Sequence, residues 1–130
     1  MGVPGEPHRA TARKTGAGIL VVEDEVLIRA TIAEQLRRTG YAVIEAANAH
    51  EAVELLRNRF EVKLIISDIR MPGSLDGVGL ARLVHNEFPG VKVILTAAHL
   101  TEVDWVEHDG FFHKPHDPAQ LIAHVRTLIG

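Results

Sequence analysis

The chain contains no cysteine. Disulfides and thiolate metal sites are therefore excluded, and the composition fits a cytoplasmic protein. Long hydrophobic runs are also missing. The apolar stretches are strand-sized, far below the ~20 residues of a membrane-spanning helix, so no membrane contact is expected. No charged-then-apolar start resembles a secretory signal. Several catalytic signatures are absent too. There is no P-loop and no HExxH helix. Neither Ser67 nor Ser74 lies in a GxSxG elbow. Gly77-Val78-Gly79 lacks the rest of a dinucleotide fingerprint and follows no strand directly. Basic charge is scarce in the body of the chain. Arg9, Arg13 and Lys14 against Glu6 give the first sixteen residues +2, which leaves −5 for the rest of a chain with formal net charge −3. An acidic body offers no footprint for direct nucleic-acid binding.

What is present is an ordinary soluble balance, 46% hydrophobic and 24% charged, in 130 residues. That length suits one compact domain. Residues 1–17 are rich in Pro, Gly, Thr and Ala with little to bury, and read as a disordered tail or linker. Residues 18–130 read as the folded domain.

From Gly18 onward strands and helices alternate. GILVV (18–22) is a short apolar run with the character of a buried strand. Ile28, Ile32 and Leu36 then recur at helical spacing, with Gly40 as a stop. YAVIEA (41–46) is a second strand. Asn48 with Glu51 forms the pattern of a capping box, opening a helix that carries Val53, Leu56 and Phe60. VKLIIS (62–67) is a third strand, followed by a helix over 76–88 that Pro89-Gly90 ends. VKVIL (91–95) is a fourth strand, residues 101–109 a short weak helix, and GFFH (110–113) a fifth strand. Asp117 caps the last helix, Pro118 takes its first position, and Leu121, Ile122, Val125, Leu128 and Ile129 line one face. Strict alternation with nearly continuous apolar strands predicts a doubly wound α/β domain. Its parallel sheet would be covered on both faces.

In such a sheet, ligands bind beyond the carboxyl ends of the strands. Glu23, Asp24 and Glu25 stand after the first strand, Asp68 after the third, Thr96 after the fourth and Lys114 after the fifth. An acid after one strand is most often a cap or a solvated loop residue. A hydroxyl, an ammonium and several acids, each at the same end of a different strand, form a much rarer pattern. Clustered carboxylates cannot all ionise cheaply without a cation. An all-oxygen donor set suits Mg²⁺ ahead of Zn²⁺. Lys114 and Thr96 facing the metal would complete a phosphoryl pocket. An aspartate at its edge, Asp68, could be the nucleophile that becomes an aspartyl-phosphate.

VVEDE, SDIRMPGSLDG, ILTAA and FFHKP, in this order, resemble the receiver domain of two-component response regulators. The resemblance covers about Gly18 to Ile129. It implies a flavodoxin-like three-layer sandwich around five parallel strands in the order 2-1-3-4-5. It implies a signalling module, not an enzyme in the usual sense, that takes a phosphoryl group on Asp68 from a sensor histidine kinase or phosphotransfer protein. By the same resemblance Asp24 would bind Mg²⁺ directly and Glu23 through water. The Arg70 backbone carbonyl would be a further ligand. Thr96 would be the switch hydroxyl, Lys114 the phosphate-pairing lysine and Phe111 the switch aromatic. The Lys114–Pro115 bond would be cis, and Ala97 would keep the approach open. The readout would be a changed face between the fourth and fifth helices, offered to a downstream protein whose identity, like the oligomeric state, is not in the sequence. A stand-alone regulator and a piece of a hybrid kinase or longer regulator both remain open.

Four departures from the family pattern stand out. One extra residue lies between Pro72 and Asp76. The stretch from Thr96 to Phe111 is short by about one helical turn, which shortens the fourth helix. Phe111 lacks the common hydroxyl. His116 replaces the usual aromatic. Among the other candidates, His99, His108, His113 and His116 read as surface histidines ahead of metal ligands, and Trp105 as core packing ahead of a partner contact. Two rival functions have less support. A flavodoxin-like cofactor binder would need a hydroxyl- and glycine-rich loop where three acids stand. A pseudo-receiver would be expected to have lost an acid, the threonine or the lysine.

Overall fold

The computed structural model describes residues 18–58, 61–98 and 107–130. Five strands, β1 (Gly18–Val22), β2 (Ala42–Ala46), β3 (Leu64–Asp68), β4 (Lys92–Ala97) and β5 (Gly110–His113), form one sheet in the order β2-β1-β3-β4-β5. All pairings are parallel. The described helices are α1 (Val26–Arg38), α2 (Ala49–Arg57), α3 (Gly77–Glu87) and α4 (Pro118–Ile129).

The strands are buried on both faces because their apolar residues alternate between two cores. Leu20, Val22, Ile65, Val93 and Leu95 pack with α2 and α3, through Ala52, Val53, Leu80 and Val84. Ile19, Val21, Leu64, Ile66 and Ile94 pack with α1 and α4, through Ile32, Leu36, Leu121 and Val125. Each deeply buried aliphatic side chain contributes about 1.5–3 kcal/mol relative to exposure. The three-layer arrangement expected from the sequence is therefore what its strands demand.

Local chemistry sets the helix ends. Asn48 accepts from the Glu51 N–H at 2.9 Å, and the Glu51 carboxylate reaches back to the Ala47 N–H at 2.7 Å. The reciprocal cap is thus present, shifted by one residue at its return bond. Asp76 and Asp117 cap α3 and α4. At the end of α1, Gly40 adopts a φ of 107°. There the Gly40 N–H reaches Arg37 O at 3.0 Å and the Tyr41 N–H reaches Leu36 O at 3.2 Å. That paired closure needs a left-handed residue, which glycine supplies without strain.

One expectation is corrected at the β4–β5 connection. Residues 107–109 are not helical. Asp109 instead braces the start of β4: its N–H donates to Val93 O at 2.6 Å and its carboxylate accepts from the Val93 N–H at 2.8 Å. Both bonds tie Asp109 to strand backbone, which a helical turn would not allow. The remainder of the expected short helix, together with Phe60, His99, Trp105 and the expected tail at 1–17, lies outside the described residues. No helix among the described residues is long and apolar enough to cross a membrane.

The strand order reverses between β1 and β3. A crevice at their carboxyl ends follows from that topology, and both strands end there in acids.

Candidate functional site at the carboxyl ends of β1 and β3

Glu23 directly follows β1 and is 2% exposed. Its N–H bonds to Ala46 O at 3.1 Å, continuing the pairing with β2. One carboxylate oxygen accepts from the Glu25 N–H at 3.1 Å. The other accepts from Lys114 Nζ at 2.8 Å. Asp24, next along the chain, is exposed.

Asp68 closes β3 and is buried, with Thr96 its register partner on β4. The Ile69 N–H donates to Thr96 O at 2.9 Å, which carries the pairing one step past the strand. Beneath Asp68 the chain passes very close to α3. A Cβ on Gly77 would collide with the Asp68 carbonyl oxygen and come within 2.7 Å of the Ile69 Cα. Glycine here is a packing requirement: α3 can begin directly behind Asp68 only because residue 77 has no side chain.

Lys114 leaves β5 with its N–H bonded to Ala97 O at 2.8 Å, and the Lys114–Pro115 bond is cis. Its ammonium lies 3.2 Å from Asp68 Oδ2 as well as 2.8 Å from Glu23. Oxygens of Glu23, Asp24 and Asp68 all fall within 4.8 Å of one another. Four of the sequence-predicted residues are thus joined by direct distances, and Thr96 stands beside Asp68 by strand register. Arg70 is exposed in the loop beyond β3. Phe111 pairs with Leu95 and packs against the α2–α3 core.

Three carboxylates around one ammonium leave an excess of negative charge. At an effective dielectric near 20, two like charges about 5 Å apart repel by about 3 kcal/mol. Two of its groups, Glu23 and Lys114, hold their protons more tightly than usual. Burial pushes the Glu23 carboxyl above its usual range, and the neighbouring Asp68 charge adds to the push. Burial alone would lower the Lys114 ammonium, but the Glu23 hydrogen bond and both carboxylate charges outweigh it, so its pKa is raised. A hard divalent cation would relieve this excess, and the all-oxygen donor set fits Mg²⁺.

Two features escaped the sequence. Lys114 sits closer to Glu23 than to Asp68. Arg29 donates to the Glu23 carbonyl at 2.8 Å and pairs with Glu45 at 3.2 Å. A basic residue one turn into the helix after an acid loop was the available signal. The histidine reading also needs correction. His116 is half-buried, edge-on to Phe112 at 6.0 Å, and its Nδ1 is buried without a partner among the described residues. Burial and the Lys114 charge lower its pKa. His113 is exposed as expected.

The family model described as "Response regulator receiver domain" matches residues 19–126. The chain belongs to the response regulator receiver domain family. The receiver is 39% identical over 108 residues to a response regulator receiver protein of Anaeromyxobacter sp. (strain Fw109-5), covering 82% of this chain and 43% of that relative. It thus spans less than half the length of that curated relative. Solved structures agree with the fold. The signal receiver domain of an HD domain-containing protein from Pseudomonas fluorescens Pf-5 superposes with a TM-score of 0.81 at 25% identity, over 88% of this chain and 94% of that one. A response regulator receiver domain protein from Methanospirillum hungatei JF-1 gives 0.78 at 26% identity, over 86% and 92%. Membership in this family makes the receiver part of two-component signalling.

Proposed function

We propose that this receiver accepts a phosphoryl group on Asp68 from the phosphohistidine of a sensor histidine kinase or phosphotransfer protein. The supporting observation is the convergence of Lys114 with Asp68 and Glu23, at 3.2 and 2.8 Å, inside a cluster of three carboxylates. An Asp68 carboxylate oxygen attacks phosphorus. The P–N bond breaks, its electrons return to the imidazole, and that ring leaves as it takes a proton. The product is an acyl phosphate on Asp68.

Glu23, Asp24, Asp68 and the Arg70 carbonyl would hold Mg²⁺. When bound, the cation supplies neutralisation of the transferring oxygens. The chain's own residues do the rest. Lys114 pairs with a phosphoryl oxygen, exchanging part of its contact with Asp68 for one with the new group. Thr96 turns its hydroxyl toward the phosphoryl group, Ala97 leaves the approach open, and Phe111 follows Thr96 inward. The face beside α4 changes for a downstream protein partner. Self-catalysed phosphorylation and hydrolysis are the chemistry proposed here, in the cytoplasm, with no substrate turned over for its own sake.

The test is intact mass after incubation with a small phosphodonor and Mg²⁺, with Asp68→Asn alongside. One added phosphoryl group, absent in the variant and absent without Mg²⁺, is the expected result. A folded protein that takes no phosphoryl group and binds no Mg²⁺ would overturn the reading.

A further inference from the structure

The start of α1 differs from the other helix starts. Asn48, Asp76 and Asp117 cap α2, α3 and α4 with their side chains. Glu25, at the corresponding position of α1, makes no side-chain cap bond. The turn between β1 and α1 nevertheless carries Glu23 and Asp24, whose placement matters most. A tie from further along the helix takes the place of the cap. Arg29 reaches back and donates Nη1 to the Glu23 carbonyl at 2.8 Å, while its Nε pairs with Glu45 on β2 at 3.2 Å. The Arg29 side chain is only 17% exposed. Glu45 is held in turn by Arg37 at 3.1 Å, and Arg37 also donates to Val43 O at 3.0 Å.

The consequence is geometric. The Glu23 carbonyl belongs to the rigid plane that also contains the Asp24 N–H and Cα. The Glu23 N–H is fixed by Ala46, its carboxylate by Lys114 and Glu25, and its carbonyl by Arg29. Releasing the carbonyl would free the plane to rotate, and Asp24 would turn with it. Asp24 is exposed and has no side-chain partner of its own among the described residues, so its backbone sets its direction. The fork of a guanidinium is suited to this task, since it can serve a carbonyl and a carboxylate at once.

We infer that Arg29, anchored by Glu45, is a positioning residue that locks the Glu23–Asp24 peptide plane and so aims the Asp24 carboxylate into the cation site. The inference rests on the Mg²⁺ reading above. Outer residues that orient metal-binding groups typically change affinity by about 10–100-fold when removed.

The experiment compares the full chain with Arg29→Met, Arg29→Lys and Arg37→Met. Mg²⁺ affinity is measured by calorimetry, and amide exchange at Asp24 and Glu25 is followed by NMR in metal-free protein. Arg29→Met is expected to weaken Mg²⁺ about tenfold or more and to speed exchange at both amides. Arg29→Lys is expected to recover only part of the affinity, because one ammonium cannot serve both acceptors. It also carries the comparison if the methionine variant does not fold. Arg37→Met shares the same Glu45 but touches no acid-loop atom, and should stay within about twofold of the parent, as an exposed pair does. Parent-like Mg²⁺ affinity in both Arg29 variants, even with a lowered melting temperature, would reduce Arg29 to a stabilising residue and overturn the inference. A parent that binds no Mg²⁺ would overturn the cation site itself, a separate and distinguishable failure.

Discussion

Lys114→Met removes the only ammonium that touches Glu23 and Asp68 among the described residues while keeping most of the apolar stem. The two carboxylates then face each other with no counter-charge. A hydrogen bond to a charged group is worth about 1.5–3 kcal/mol. Stripping one partner from a fully buried pair costs about 3–5 kcal/mol. The Lys114 side chain keeps 17% exposure, so water reaches the pair and the lower range applies. A loss of about 2 kcal/mol at pH 7 without divalent cation is expected, equivalent to about 6–10 °C in melting temperature for a domain of this size. The sign of the pH dependence also follows. The Glu23 carboxyl is already raised above its ordinary 4.5 by burial. A raised carboxyl pKa stabilises the fold fully below the unfolded value and loses that contribution as pH rises through the folded value. Without Lys114 the rise is larger. The penalty should therefore be greatest near neutrality and shrink as the solution is acidified toward 4.5. Urea denaturation of parent and variant at several pH values, with chelator present, measures the difference directly. Equal midpoints at pH 7, or a penalty that grows toward acid, would refute the electrostatic account of the site.

Mg²⁺ affinity should fall as pH is lowered from neutral through the raised Glu23 pKa, because protonation removes a negative charge that helps hold the cation; calorimetry in buffers of different ionisation enthalpy would detect the released proton. Gly77→Ala should destabilise the fold by about 1–3 kcal/mol, since α3 cannot keep its place behind Asp68 with a Cβ present. The same variant should take up phosphoryl groups more slowly, and thermal melts with a timed mass assay would show both effects together.

Much of the fold was legible because its causes are local. Ile19 and Val21 alternate with Leu20 and Val22, and that alternation requires cover on two faces. Asn48 and Asp117 act on backbone N–H groups two or three residues away, so their helices begin where the sequence indicates. The acids were legible for a similar reason: Asp68 ends an apolar strand, and parallel strands bring their carboxyl ends to one edge. The stretch before β5 was harder. Its apolar spacing is weak, and Asp109 is drawn to Val93 on β4, a partner sixteen residues away. His116 looked like a surface residue because its ring meets Phe112, four residues earlier, only through the folded path of the chain between them.

The sequence by itself determined the alternating elements, their caps and the set of groups at the carboxyl edge, since apolar period and hydrogen-bond capping operate within a few residues. Only the tertiary structure decided how those groups pair. Lys114 and Glu23 are 91 residues apart, and their 2.8 Å contact depends on strand order, register and the path of the β5–α4 turn. The tie from Arg29 to Glu45 likewise needs β2 laid beside β1. Periodicity names the face a side chain shows, but a charge finds its partner only after the sheet has brought distant strands to one edge.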